Sequence, residues 1–307
     1  MTTAISIGEC MVELRPIGGG RLSSDFAGDA LNTAVYLKRS APEIEVAFLT
    51  ATGDDSLSDA MVDAWRKEGL SDRLVYRIPG GQPALYLIET NAAGDRRFRY
   101  WRGESPAKQW LQQLVRAGGV DVLNRADIVY ISGISLAILS CADREVAIHL
   151  LESLKTRLAF DPNIRPSLWK SMDEARQTFE AVAKVSAIVL PSRQDCQLIY
   201  GIDDPDQQIR LIAQLTQGEI ALTCDVNGCR LSGCNQAMAL PTRVVPVVDT
   251  SGAGDSFNGA YLAARLRGLT PAEAATDGLM LSSRVVSLPG AIIPRCSESR
   301  DGPKADR

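Results

Sequence analysis

One short stretch near the carboxyl end, Val247-Val248-Asp249-Thr250-Ser251-Gly252-Ala253-Gly254-Asp255-Ser256-Phe257-Asn258-Gly259, constrains the fold more than any other part of this chain. A β-branched run ends at Asp249, small residues follow, and a helix-compatible segment from Phe257 to Leu266 begins at once. The pattern predicts a strand, a tight glycine turn and then a helix. Gly252 and Gly254 allow positive φ and close backbone approach, and the exposed amides and dipole at a helix start make an anion site. Asp255 puts a carboxylate where an anion should bind. It is either a base aimed at a hydroxyl that attacks the bound anion, or a helix N-cap. The stretch alone leaves these two readings about even.

A chain of 307 residues with 45% hydrophobic residues can bury a large core, as one large α/β domain or as a domain with a small appendage. A formal net charge of -4 gives no basic footprint, so nucleic acid is not an expected partner and any anion must be met locally. Seven cysteines, at 10, 141, 196, 224, 229, 234 and 296, show no paired metal-ligand spacing, and with His149 as the one histidine a zinc cluster is not expected. The odd count argues for reduced thiols. With no basic leader followed by an apolar stretch, and no apolar run near bilayer length, the expectation is a cytoplasmic protein without a membrane partner.

In chain order, Ala4 to Gly8 and Met11 to Arg15 read as strands, and Thr33 to Arg39 as a helix. Asp29 and Asn32, after Gly28, are either cap residues or hydrogen-bonding partners for a ligand hydroxyl, and the sequence favours the cap. Strand, loop, helix then recurs from Val46 to Lys67. Ala84 to Thr90 and Arg97 to Arg102, joined by a short turn at Asn91 to Asp95, predict a hairpin. Alternation places Phe98, Tyr100 and Arg102 on one face of it, an aromatic hydroxyl beside a guanidinium fork suited to a carboxylate or phosphate. A solvated hairpin with solubilising arginines is the plainer reading. The βα rhythm returns from Asp127, and the loop Pro162-Asn163-Ile164-Arg165-Pro166 follows the strand ending at Asp161. Loops beyond the carboxyl ends of parallel strands hold ligands, although Arg165 could instead pair with Asp161. The tail from Arg295 to Arg307 is polar and aperiodic, and disorder is expected there.

Asp249-Thr250-Ser251-Gly252-Ala253-Gly254-Asp255 resembles the signature of the ribokinase-like (PfkB) carbohydrate kinases. Further blocks resemble the bacterial 2-keto-3-deoxygluconate kinase branch of that family: 8–14, 28–33, 85–90, 100–102, 132–139 and 290–294. The resemblance implies a three-layer α/β/α sandwich with a mainly parallel central sheet and a small β-hairpin lid, a kinase domain over 1–295 with lid strands from about 9–25 and 72–103, and a disordered tail at 296–307. It implies ATP-dependent phosphorylation of a sugar acid, with Asp255 as base and Gly252, Ala253 and Gly254 as anion hole. Gly28, Asp29, Asn32, Tyr86, Tyr100, Arg102, Ile134 and Arg165 would line the sugar pocket. Asn163, Arg165, Ser192, Thr223, Cys224, Gly228, Gly252 and Gly254 would meet ATP, with Mg²⁺ on the phosphates and Asp195 acting on it indirectly. By analogy with the family, the resemblance also allows a homo-oligomer. The chain departs from the pattern at Ser192 and Asp195, where many relatives carry Asn and Glu, and at Thr223 to Gly228, which lacks the usual basic residue followed by glycine. The remaining alternatives are a kinase for a neutral sugar or nucleoside and a catalytically silent sensor.

Overall fold

Alternation along the parallel strands decides the layering, because neighbouring residues of a strand face opposite sides of its sheet. The computed structural model describes residues 1–90, 96–232 and 238–295. Its strands are β1 (Thr3–Ile7), β2 (Met11–Pro16), β3 (Leu22–Ala27), β4 (Glu45–Thr52), β5 (Val75–Arg77), β6 (Leu85–Thr90), β7 (Arg96–Trp101), β8 (Ile128–Ser132), β9 (Arg157–Asp161), β10 (Ile188–Val189), β11 (Glu219–Thr223), β12 (Cys229–Ser232) and β13 (Met238–Leu240). The large sheet has the order β13-β12-β11-β10-β9-β8-β1-β4-β5. It is parallel from β11 to β5, and β12 and β13 add antiparallel at one edge.

Ala4, Val46, Phe48 and Tyr130 pack to one side, under helices Asp29–Ser40, Ser56–Lys67, Ala253–Leu266 and Pro271–Val286. Ile5, Leu49, Val129 and Phe160 pack to the other, under helices Cys141–Glu152, Met172–Val185 and Pro205–Leu215. Each such large apolar side chain contributes about 1.5–3 kcal/mol when fully buried, so a sheet covered on both faces is the stable arrangement. The three-layer α/β/α sandwich follows from these two cores.

A second sheet, ordered β3-β2-β6-β7, forms the lid. Its β6–β7 pair sets Tyr86 directly opposite Tyr100. Its strands fall largely in the two stretches expected for lid strands, while Val75–Arg77, inside the second stretch, pairs in parallel with β4 of the large sheet. The turn at 91–95 and the tail at 296–307 lie outside the described residues. Cys10, Cys141, Cys196, Cys224 and Cys229 are free thiols. No described helix is long and apolar enough to cross a membrane.

The strand expected before the glycine turn does not form. Val247 and Val248 are 60% and 56% exposed and belong to no strand. Pro246 cannot donate to a ladder, and the amides of Val248 and Asp249 go instead to Val286 O, at 2.8 and 3.1 Å. β-Branched composition without a neighbouring edge yields an extended loop over the end of a helix. The helices at the site also begin a turn earlier than their apolar periodicity indicates, at Asp29 and at Ala253.

Candidate active site

The sheet order places β4 on one side of β1 and β8 on the other, and a crevice opens beyond the carboxyl ends of strands at such a switch point. Two helices meet above it. A Cβ on Gly259 would lie 2.7 Å from Thr33 O and 2.6 Å from Tyr36 Cβ, so only glycine lets helix Ala253–Leu266 approach helix Asp29–Ser40 this closely. That approach brings Asn32 Nδ2 to 2.8 Å from Asp255 Oδ2, to which it donates.

Asp255 is not the cap of its helix. Gly252 occupies that position at φ 72°, and no side chain caps the helix. Asp255 lies within the first turn, as the third helical residue, with a half-buried side chain. Burial pushes this carboxyl up to about 7; the charge of Asp29 adds to the rise, while the Asn32 hydrogen bond and the charge of Arg165 oppose it. Such a value suits a general base near neutral pH. The two glycines before it do different work. A Cβ on Gly252 would meet Ala291 O at 2.4 Å, whereas one on Gly254 would meet nothing within 4 Å. Gly252 makes the turn, and Gly254 keeps space open over the first amides of the helix, which have no intrahelical acceptor.

Asp29 is likewise no cap, since Gly28 holds that position without a side-chain cap bond. Its Oδ2 accepts from Ser132 Oγ and, at 2.8 Å, from Asn163 Nδ2. Asn163 holds a left-handed φ of 36°, and its amide donates to Asp161 Oδ1 at 2.9 Å. Asp161 also accepts from Asn258 Nδ2 at 2.7 Å, and burial, with the charges of Asp195, Asp255 and Asp29, holds its carboxyl well above the usual range. The alternative pairing of Arg165 with Asp161 is not made. Arg165 donates to Ile164 O at 3.1 Å, is exposed, and projects its charge towards Asp255, Asp195 and Tyr100.

Tyr86, Phe98 and Tyr100 share one face of the lid, with ring centroids 5.7 Å apart for Tyr86–Tyr100 and 6.3 Å for Phe98–Tyr100. Two side chains there have partners that alternation could not disclose. The buried Tyr86 donates its hydroxyl to Glu13, which also accepts from Arg15 Nε at 2.5 Å, and Arg15 Nη1 lies 3.6 Å from Asp249 Oδ2. Arg102, expected as an open fork, already donates through Nη2 to Glu9. Backbone O of Glu9 also explains Gly28, where a Cβ would lie 2.2 Å from it.

On the nucleotide side, Ser192 and Asp195 form a capping box at helix Arg193–Tyr200. Asp195 Oδ2 accepts from Ser192 N at 3.0 Å and Oδ1 from Ile164 N at 2.7 Å, so both oxygens are occupied in fixing loop ends. Ser192 bridges to Thr223 across adjacent strand ends. Cys224 is wholly buried in the core and presents no side chain to a ligand. Gly228, at φ 78°, packs against Leu240 O, and the loop between Cys224 and Gly228 exposes Val226 by 70%. Ile134 donates its amide at 3.1 Å to Ser132 Oγ, the same hydroxyl that donates to Asp29. Sequence reading passed over Glu9, Glu13 and Ser132 as polar partners. Glu9 and Ser132 lie at or just beyond the carboxyl ends of parallel strands, which is the available signal.

The profile of the pfkB family carbohydrate kinases matches residues 1–298. The 2-dehydro-3-deoxygluconokinase of Escherichia coli (strain K12) is 37% identical over 298 residues, covering 94% of this chain and 96% of the relative. Among solved structures, 2-dehydro-3-deoxygluconokinase from Thermotoga maritima superposes with a TM-score of 0.83 at 19% identity over 95% of this chain and 96% of that one. A putative ribokinase II from E. coli, solved in complex with ATP and Mg²⁺, superposes at 0.80 with 20% identity over 95% and 94%.

Proposed function

The chain belongs to the pfkB family of carbohydrate kinases, and from that premise we propose that it transfers the γ-phosphoryl group of ATP to the terminal hydroxyl of 2-keto-3-deoxygluconate, giving 2-keto-3-deoxy-6-phosphogluconate. The observation that carries the chemistry is the pairing of Asp255, raised to about 7, with the glycine-opened start of its own helix. The sugar acid is taken from the relatives that match over almost the whole chain.

In this reading Asn32 holds Asp255 Oδ2, leaving Oδ1 to accept the hydroxyl proton as the sugar oxygen attacks the γ-phosphorus. The bond from phosphorus to the β,γ-bridging oxygen breaks in line, and ADP departs. First-turn amides at Gly254 and the guanidinium of Arg165 face the charge on the transferring group. Asp29, fixed by Ser132 and Asn163, keeps an oxygen for a sugar hydroxyl. Val226, Val244 and Val247 are exposed apolar side chains of the kind that suits an adenine ring. No cluster of three acidic, histidine or cysteine ligands exists among the described residues, and both oxygens of Asp195 are hydrogen-bonded. This donor set fits Mg²⁺ carried by phosphate oxygens and water, with Asp195 acting through its field. When bound, the ion neutralises charge on the β- and γ-oxygens.

A coupled ATP-consumption assay over 2-keto-3-deoxygluconate, its galacto epimer, gluconate, fructose and ribose tests the reading. The highest kcat/KM is expected on 2-keto-3-deoxygluconate. Turnover of fructose or ribose without turnover of the sugar acids would reassign the substrate, and no turnover at all would make the protein a sensor.

A further inference from the structure

A buried carboxylate at the root of the lid has no part in the phosphoryl transfer described above. Glu9 stands between the end of β1 and the start of β2, where the chain leaves the large sheet for the lid. Its side chain is 1% exposed and that of Arg102 is 15% exposed. Glu9 Oε2 accepts from Arg102 Nη2, and Oε1 accepts from Ser105 Oγ at 2.5 Å. Burial raises the Glu9 carboxyl, and the neighbouring guanidinium is the largest influence in the other direction. On its second side Arg102 meets the Tyr100 ring, with Cζ 5.8 Å from the centroid.

A guanidinium carries five N–H donors, and a carboxylate takes two parallel ones. One Nη2 donor goes to Glu9, so an edge remains. We infer that Glu9 is a specificity-determining positioning residue: with Ser105 behind it, it holds the Arg102 guanidinium so that the unspent edge faces the acidic end of the sugar. The inference rests on the proposed sugar-acid substrate and on the pocket-lining role that the family resemblance implies for Arg102. A freely rotating arginine loses rotamer freedom each time it grips a ligand, and an anchored one has lost it already. The acidic end of 2-keto-3-deoxygluconate is remote from the hydroxyl that reacts, so the benefit belongs in ground-state and transition-state binding alike. Loss of the anchor therefore raises KM and leaves kcat nearly unchanged.

Steady-state kinetics on the full chain test this with four variants. Arg102→Ala should raise KM for 2-keto-3-deoxygluconate strongly, and an unchanged value overturns the role of Arg102 itself. With that role in place, Glu9→Ala should raise the same KM about tenfold, with KM for ATP and kcat within about twofold. Glu9→Gln, which keeps the shape and one acceptor, should recover much of the loss. Ser105→Ala, which alters no charge and keeps the test open if Glu9→Ala fails to fold, should raise KM about threefold. Wild-type KM in Glu9→Ala, or in Ser105→Ala where Glu9→Ala does not fold, or a loss confined to kcat, overturns the inference about Glu9 while leaving that about Arg102 standing.

Discussion

Replacing Asp255 by Asn should abolish turnover and stabilise the fold, two effects with one physical origin. Removing a general base costs roughly 100- to 10,000-fold in kcat. The stability change follows from the carboxyl being raised from 3.8 to about 7. A group raised in the folded state binds its proton more tightly there than in the unfolded chain, so wild-type stability is full below 3.8 and falls as pH climbs to about 7. A fully desolvated carboxyl would lose about 4 kcal/mol across that window. Because the Asp255 side chain opens on the cleft, solvent screening reduces this to about 2 kcal/mol. Asn does not titrate, and its amide keeps an oxygen facing Asn32. Asp255→Asn should therefore melt about 4 °C above wild type at pH 8, with the difference vanishing near pH 4. Melting curves at several pH values, with sugar binding by calorimetry as the check that the site is intact, measure both. A variant that still turns over removes Asp255 from the base role. A variant less stable than wild type at pH 8 refutes the account of its raised carboxyl.

The same charges set the pH profile and the glycine turn sets the tolerance to side chains. Wild-type kcat/KM should fall about tenfold from pH 8 to pH 6 on a limb centred near 7. Asp29→Asn should move that limb to lower pH and Arg165→Ala to higher pH, read from full pH-rate curves; a limb that stays in place under both would show that Asp255 is not the titrating group. Gly252→Ala, at φ 72° and 2.4 Å from Ala291 O, should cost about 2–4 kcal/mol in denaturant unfolding. Gly254→Ala should cost under about 0.5 kcal/mol yet weaken ATP use, and equal stability losses in the two would contradict their division of roles.

Much of this was legible because it depends on local chemistry. Glycine at a helix start predicts the turn, and strand alternation alone groups Phe98, Tyr100 and Arg102. Parallel strands announce themselves as short apolar runs, which is why β1 and β9 fall within a residue of where the sequence puts them. The errors share a different cause, since each depends on a partner distant in the chain. Val247 and Val248 have β-strand composition but no neighbouring edge. Arg102 reads as an open fork until Glu9, 93 residues earlier, is folded against it. Asp29 and Asn32 look like caps because nothing local reveals Ser132, Asn163 or Asp255. Cys224 falls within a resemblance to a nucleotide loop, yet its side chain points into the core.

The run of contacts from Tyr86 through Glu13 and Arg15 to Asp249 has a consequence for protein engineering. It joins a lid strand to the segment that opens the glycine turn, and the Asp249 side chain is wholly enclosed. A lid grafted from a relative to change the accepted sugar would replace Glu13 and Arg15 together but leave Asp249 behind, deprived of this guanidinium. Such a chimera would carry a mismatch within reach of the phosphate site although no residue of that site had been touched. The practical unit of exchange is therefore the lid together with its anchor at Asp249, not the sheet that the eye would cut out.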